Sequence, residues 1–308
     1  MSKLITSGQL GAIIKIILDW ALGGKATQAQ ADRVIKALPD LLRNSKQEVE
    51  RSTVLAPWIE QILKAENKAH QDFFGRTFDL TVFREFLRKT GKKQVATWKK
   101  RGREVHFLPD ILFTRETEFP GWKAKPNEWF WKQLAAGKIL VRNEKGELVV
   151  VREARLPGKV VLIDTRLKPA YRDGKQMYEN DDLGGLIEGL RERGKLAKYG
   201  SSPQSSRFGV SPNEWENHLK QVVSEDLGIP HRLEMAIEAN VISQLYPLMP
   251  RRDDGTTNTW EWREEFFGGA SGRIGGGGSG SGGLASVGWR SSDDRWSYGA
   301  VRPLGVVS

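Results

Sequence analysis

The last 42 residues of this 308-residue chain, Phe267 to Ser308, contain no Lys, Glu, Gln or Met. The 266 residues before them contain 23 Lys, 23 Glu, 12 Gln and 4 Met, so equal usage would place roughly 10 such residues in the tail. The tail instead holds 13 of the 33 glycines. No helical periodicity remains in it, so we expect it to fold as strands and loops.

The tail nevertheless ends in a regular apolar segment. Residues 300–307 read Ala-Val-Arg-Pro-Leu-Gly-Val-Val, which predicts a last strand. A disordered tail rarely ends in this way. The tail therefore uses a restricted set of residue types but keeps the regular apolar pattern of a folded segment.

The composition of the whole chain excludes several classes of protein. Hydrophobic content of 39% with 28% charged residues is typical of a globular protein. The absence of cysteine excludes disulfides, thiolate metal sites and thiol catalysis. We expect neither a metal nor another cofactor, because the four histidines lack paired ligand spacing: His70, His106, His218 and His231.

The first hundred residues have helical periodicity. Helices are predicted over residues 10–21, 27–43, 54–74 and 81–88, which indicates a helical module at 1–104 whose role stays open. Assembly of a homo-oligomer is one role that it allows. The segment 10–21 is interrupted by Lys15 and Asp19, so we expect neither a signal peptide nor a membrane span, and the cytoplasm is the default location.

From His106 onward, strands alternate with helices. Residues 139–142 and 148–151, joined by a turn at 143–146, predict a β-hairpin. Other strands are predicted at 106–109, 111–113, 160–164, 260–263 and 300–307, and helices at 127–136, 181–193, 211–227 and 231–244. The helix that begins at Ser211 has a capping box with Glu214. The sequence therefore predicts the α+β class, with a mixed domain over residues 105–308.

A net charge of +10 makes nucleic acid a candidate partner. Eight basic residues and no acid lie in one stretch: Arg88, Lys89, Lys92, Lys93, Lys99, Lys100, Arg101 and Arg103. Such a stretch can neutralise several phosphates, but it also fits a solvated helix end and loop. No aromatic stacking pattern accompanies it, so nucleic-acid binding is the lesser expectation.

Several segments of the second half resemble a known family. Gly158-Lys159-Val160-Val161-Leu162-Ile163-Asp164 precedes a predicted helix, as an early strand does in C-type lectin folds of the formylglycine-generating type. A later framework is more specific: Trp260-Glu261-Trp262, Gly268-Gly269, Arg273, Gly275-Gly276, Gly282-Gly283-Leu284-Ala285, Trp296-Ser297 and Val301-Arg302-Pro303-Leu304. Together they resemble the variable proteins of diversity-generating retroelements, over residues 105–308 and most closely over 256–308.

The resemblance offers a cause for the restricted residue types. In that family, reverse transcription errs at template adenines, and codons of the form NNC or NNT never encode Lys, Glu, Gln, Met or Trp. Trp289 and Trp296 would be fixed, because the tryptophan codon contains no adenine. A glycine- and serine-rich loop that closes a β-domain is the alternative, since packing alone can exclude long side chains.

The resemblance also implies a C-type-lectin-like protein without catalysis, which binds a protein or surface ligand through a variable region at about residues 279–300. The implied contact residues are Ser279, Ser281, Ser286, Arg290, Ser291, Ser292, Asp293, Asp294, Arg295, Ser297 and Tyr298. The implied framework residues are Trp262, Trp289 and Trp296, each expected to bury a large apolar area, and Arg302, expected to form a buried ion pair.

Two other functions are weaker hypotheses. Enzymes of the formylglycine-generating type use cysteines, which this chain lacks. Four acids can supply carboxylates for hydrolysis, although such clusters beside loops are commonly solvated or cap helices: Asp164, Glu179, Asp181 and Asp182. A structural part of a phage or cell surface is the second hypothesis.

Overall fold

The computed structural model describes residues 55–166, 177–178, 180–200, 203–246, 260–277 and 283–307, together with residues 27, 29, 32 and 36. The chain divides into two compact units, Met1–Glu60 and Gln61–Ser308. The helix predicted over 10–21 lies outside the described residues. Of the helix predicted over 27–43, three positions are described as helical: Ala29, Asp32 and Lys36.

The described helices agree in place with most of the predicted ones. They are α1 (Pro57–Phe74), α2 (Thr81–Lys100), α3 (Glu128–Ala135), α4 (Gly184–Glu192), α5 (Pro212–Glu214), α6 (Lys220–Leu227) and α7 (Ala236–Leu245). A π-helical turn, Trp215–Leu219, joins α5 to α6. The predicted capping box is confirmed, because Ser211 and Glu214 exchange hydrogen bonds at the start of α5.

The strands form two sheets of almost wholly antiparallel pairs. They are β1 (Arg103–Phe113), β2 (Ile139–Arg142), β3 (Leu148–Val150), β4 (Ala154–Asp164), β5 (His231–Leu233), β6 (Trp260–Phe267), β7 (Gly272–Gly276), β8 (Val287–Ser291), β9 (Gly299–Ala300) and β10 (Pro303–Val306). The first sheet has the order β1-β4-β10-β5 and the second β3-β2-β6-β7-β8, with β9 parallel to β6. The predicted α+β class and the β2–β3 hairpin are confirmed.

Helix α7 lies at the centre of the apolar core. It contacts β4 of the first sheet and β6 and β7 of the second, and nearly all of its residues are buried. Its apolar side chains pack with Val161, Ile274 and Leu304, which come from strands of both sheets. Because this helix packs against strands of both sheets, it joins β7 and β10 to the same apolar core.

The helix predicted over residues 231–244 is wrong in its first turn. His231–Leu233 forms β5 and pairs with β10, so that Leu233 lies opposite Pro303 and Gly305 opposite His231. The helix begins only at Ala236. Pairing with a strand some 70 residues later outweighs the local helical pattern.

The helix predicted to end at residue 88 continues to Lys100. Gly91, with φ of 79°, interrupts its geometry, and helix resumes beyond it. The part of the helix after Gly91 is held in place because Trp98 is buried and its Nε1 donates to the Leu227 carbonyl at 3.1 Å. The basic stretch is therefore mostly helical, and the boundary expected at residue 104 falls inside the compact unit Gln61–Ser308.

Candidate functional site

The segment that follows β7 forms one margin of the second sheet. Strand β8 is the last strand of that sheet, and the chain then turns through residues 292–298 into β9. Four main-chain hydrogen bonds fasten this turn to the framework: Ser292 N to Ser271 O (2.8 Å), Asn213 N to Ser292 O (3.1 Å), Gly209 N to Trp296 O (3.1 Å) and Trp260 N to Tyr298 O (2.6 Å). Because the atoms belong to the main chain, these bonds do not depend on the side chains of residues 290–298.

Most of the predicted contact residues in this segment reach solvent. Arg290, Asp293 and Tyr298 are exposed, and four others are partly buried: Ser291, Asp294, Arg295 and Ser297. Ser279 and Ser281 lie outside the described residues.

Two predicted contact residues do not reach the surface. Ser286 and Ser292 are 4% and 1% exposed. The Ser292 hydroxyl donates to the Ala270 carbonyl at 2.9 Å, which ties the turn to the sheet. Both side chains are buried, so the structure does not place these two residues among the solvent-facing positions of the segment.

Trp296 is the centre of an aromatic cluster at this surface. Its ring lies 4.9 Å from that of buried Trp262, 6.2 Å from Trp260 and 5.3 Å from Tyr298. The Arg290 guanidinium lies 5.3 Å from the same ring, within the range of a cation–π interaction. Trp262 is 1% exposed, which confirms its predicted burial, whereas Trp296 is only partly buried.

Trp289 departs from the prediction that it is buried. Its side chain is 46% exposed and stacks on Phe267 with the ring centroids 5.1 Å apart. Trp289 lies on the last strand of the sheet, so Phe267 covers only part of the indole. Sequence reasoning did not find this second exposed aromatic position, since burial at a sheet margin depends on strand order.

Two of the charged contact candidates also have partners in the framework. Arg295 Nε lies 3.1 Å from Glu214 Oε2, and Asn213 Nδ2 donates to Asp293 Oδ1 at 2.7 Å. Both partners belong to the capping-box segment at the start of α5. These two side-chain contacts add to the main-chain hydrogen bonds that anchor the turn, and both residues also reach solvent.

Arg302 forms the buried ion pair that was predicted. Its Nε donates to Glu261 Oε1 at 2.7 Å, and its Nη1 donates to the carbonyls of Asp164 and Arg166 at 2.9 and 3.0 Å. Tyr178 adds a hydrogen bond from its hydroxyl to the same Glu261 oxygen at 2.8 Å. The arginine therefore connects β10 to β6 and to the end of β4 beneath the surface.

Three of the four carboxylates considered for hydrolysis belong to this ionic network. Asp164 is buried within 2.6 Å of Arg207 and 3.3 Å of Arg103, and Asp182 lies 2.9 Å from Arg103. Asp181 pairs with Arg207. Burial opposes ionisation of Asp164, but the surrounding arginines hold its pKa far below the usual range. These three acids are structural counter-ions; Glu179 lies outside the described residues.

The basic stretch divides into paired and unpaired cations. Arg103 is fully buried in the network above, so it is not a phosphate ligand as the sequence suggested. Three others face acids: Arg88 with Glu85, Lys99 with Glu104, and Arg101 with Asp226. The remaining cations are exposed and have no ion pair within the described chain: Lys89, Lys92, Lys93 and Lys100.

A buried polar cluster away from this surface was missed by sequence reasoning. His106 Nδ1 lies 2.8 Å from Glu66 Oε2, and its Nε2 lies 3.6 Å from Glu104. Glu66 also accepts from the Tyr246 hydroxyl at 2.6 Å and from the Phe107 amide at 2.8 Å. The partners come from three distant segments, so no local motif could have revealed the cluster.

This cluster predicts a stability that falls as the solution becomes alkaline. Burial alone would lower the pKa of His106, but the carboxylates of Glu66 and Glu104 outweigh burial and raise that pKa from 6.5 to about 9. The folded protein therefore retains a proton that the unfolded chain releases, so this contribution is complete below pH 6.5 and is lost as the pH rises through 9.

The measurement is urea unfolding at intervals between pH 6.5 and 9.5. The His106→Gln variant, which keeps a polar side chain without this titration, is expected to lose most of the slope. Equal slopes in the two proteins would contradict the assignment to His106. The other charged or titratable groups near the cluster are His70, which lies 3.5 Å from Glu66, and Lys99, which pairs with Glu104.

The described residues form neither a metal site nor a membrane-spanning helix. No group of three or more His, Cys, Asp or Glu side chains there is arranged to hold a metal ion. In the same residues, no helix has both the length and the apolar character needed to cross a membrane.

The fold and the surface thus define an α+β protein with a partly exposed aromatic and charged face at the margin of its second sheet. No model of a known protein family matches the chain, and no curated protein matches it significantly. Among solved structures, it is similar to PvdO from Pseudomonas aeruginosa, with a TM-score of 0.38 and 13% identity over 66% of this chain and 94% of that one. A likeness this distant carries no argument about function.

Proposed function

We propose that this chain is a non-catalytic ligand-binding protein of C-type-lectin-like fold, and that retroelement-directed substitution diversifies its binding face within residues 279–300. The observation that carries the proposal is the main-chain anchoring of the turn 292–298. A surface that must accept many side chains needs a backbone whose position does not depend on them.

The framework beneath the face supplies that independence. Trp262 and Arg302 are buried and lie outside the segment 279–300. The ion pair from Arg302 to Glu261 and the β6–β9 pairing fix the chain directly after the turn. Substitution of an exposed residue such as Arg290 leaves these contacts in place, so stability and recognition are separated.

The side chains on the face suit recognition of a protein surface. Tyr298, Arg290 and the partly buried Trp296 belong to the residue types that carry most of the binding energy in protein interfaces. Serine and glycine between them add small, adaptable contacts. We therefore place the ligand over the Trp296 cluster.

Sequencing of this locus across a population tests the proposal. We expect substitutions to concentrate at the solvent-facing positions of the segment, namely Arg290, Ser291, Asp293, Asp294, Arg295, Ser297 and Tyr298. Ser286, Ser292 and Trp296 should change rarely, because two are buried and the third holds the aromatic cluster. Variable codons should correspond to adenine-rich codons in a nearby template.

The matched control is the exposed part of α2, which has similar access to solvent but lies outside the proposed region. Substitution there at the frequency seen in residues 290–298, or the lack of any template, would remove the retroelement hypothesis. Ligand binding could then be tested separately, by capture of partners on the wild-type protein and on the Tyr298→Ala variant.

Binding of nucleic acid through α2 is the competing function, and the four unpaired lysines favour it. If it operates, duplex affinity falls steeply with salt, and the triple variant Lys92→Gln, Lys93→Gln, Lys100→Gln lowers the slope of log K against log salt by about 3. Gln94→Ala, on the same helix, is the control. A duplex affinity that does not change with salt concentration would exclude this function.

A further inference from the structure

The loop that follows α4 lies directly beside the turn 292–298. The carboxylate of Glu214 joins the two segments, because its Oε1 accepts from the Ala197 amide at 2.6 Å and its Oε2 accepts from Arg295 Nε at 3.1 Å. Since both hydrogen bonds end on one carboxylate, Ala197 and Arg295 are neighbours across it. We call residues 194–199 the rim loop, because they border the face proposed above.

A second contact attaches the end of the rim loop to the turn. The Tyr199 ring lies against Gly209, where an added Cβ would be 2.5 Å from Tyr199 Cγ. The Gly209 amide in turn donates to the Trp296 carbonyl at 3.1 Å. Lys198 lies between these two points of attachment, so the position of its main chain beside the turn is fixed.

A buried arginine also holds this loop in place. Arg191 is 3% exposed, and its guanidinium donates to main-chain carbonyls at distances of 2.6 to 3.2 Å. The acceptors belong to Ala197, Pro203, Gln204, Ser206 and Phe208. Because all of them are main-chain atoms, the course of the loop does not depend on its exposed side chains.

The rim loop supplies a residue type that the tail lacks. Lys195 and Lys198 are exposed and form no ion pair within the described chain, whereas residues 267–308 contain no lysine. On the adjoining turn, Asp293 and Asp294 also have no cationic partner among the described residues. The combined surface therefore carries unpaired charges of both signs. Such a surface suits a protein ligand better than a nucleic acid, whose phosphates would be repelled by the two aspartates.

We propose that Lys195 and Lys198 bind carboxylates of an acidic segment of the protein ligand, so that the rim loop is a constant part of the binding face. Residues 290–298 then make the contacts that vary between versions of the protein, while the rim loop offers the same cations to each ligand. Charges at the border of an interface steer association and set the orientation of the partner. The inference rests on the proposed function, because it requires a ligand over the Trp296 cluster.

A library of random peptides displayed on phage is the probe, and the full-length protein is the target. Peptides selected on the wild type should contain an excess of Asp and Glu over the unselected library. The double variant Lys195→Gln, Lys198→Gln, called the rim variant, should lose this excess. The matched control is Lys64→Gln, Lys159→Gln, which removes the same charge at two exposed positions on α1 and β4 and should keep the excess.

Titration calorimetry with one selected acidic peptide supplies the second measurement. The rim variant should bind the peptide about tenfold more weakly than the wild type, and the control variant should bind within about twofold of it. Circular dichroism checks that each variant is folded. Equal weakening in the rim and control variants would show that net charge alone attracts the peptide and would overturn the proposal. Displacement of the peptide by duplex DNA would reveal a general polyanion site, with the same consequence.

Tyr298→Ala separates this inference from the proposed function. Weaker binding in Tyr298→Ala but not in the rim variant would overturn the role of the rim loop and leave the proposed face intact. Weaker binding in the rim variant alone would show that the loop and the turn do not form one face. If neither variant binds more weakly, or no peptide is enriched, the proposed function fails together with the inference.

Discussion

Replacing Arg302 by leucine is expected to lower the free energy of unfolding by about 3–5 kcal/mol. The substitution leaves the buried carboxylate of Glu261 without its closest cation, and it removes the donors to the carbonyls of Asp164 and Arg166. Leucine fills part of the volume but satisfies none of these acceptors. Urea unfolding at neutral pH measures the loss.

Arg290→Leu is the control for this prediction. Arg290 is exposed and lies in the surface segment that precedes Arg302, so its loss should change stability by no more than about 0.5 kcal/mol. If Arg302→Leu costs less than about 1 kcal/mol, the ionic network does not hold the C-terminal strands. Arg302 would then not be a framework residue that supports a diversified face.

Replacing Gly276 by alanine is expected to cost about 3 kcal/mol and to displace β8. A Cβ at this position would lie 2.4 Å from the main-chain oxygen of Ser286, which belongs to the segment that leads into β8. A backbone oxygen cannot rotate away as a side chain can, so the two strands must separate. Because β8 leads into the turn 292–298, ligand binding should fall together with stability.

Gly275→Ala tests whether the effect is local. The nearest atom to a Cβ there lies 3.4 Å away, which is an ordinary contact, so we expect a change of less than about 1 kcal/mol. Both variants are compared by thermal unfolding and by backbone amide spectra of residues 287–291. Equal effects of the two substitutions would show that glycine is needed in β7 for a reason other than this close approach.

Local signals in the sequence predicted much of the fold. The β2–β3 hairpin, the capping box at Ser211 and the helix capped by Asn127 all occur as expected, because each depends on residues within a few positions of one another. The predictions that failed required distant partners. The local pattern predicts helix at β5, because β10, which pairs with β5, lies far along the chain.

The same division applies to the candidate site. The restricted residue types predicted a variable segment whose residues 290–298 mostly reach solvent, and the buried Arg302 was expected from the framework that resembles a known family. The sequence did not separate Ser292, which turns inward, from Ser291 beside it. Nor did it show that Trp289 lies at a sheet margin. The residues within one strand do not indicate which strands lie beside it in the sheet.

By itself, the sequence determined the α+β class, a strand at the end of the tail, and the limited set of side chains that the tail presents; it did not predict β7, β8 or β9. The tertiary structure alone decided which of those side chains reach solvent and what holds the backbone beneath them. The reason is physical: residue type and spacing act through local hydrogen bonds and periodicity. Burial, by contrast, depends on chain segments as far apart as Glu66 and Tyr246, or Asp164 and Arg302, meeting in space.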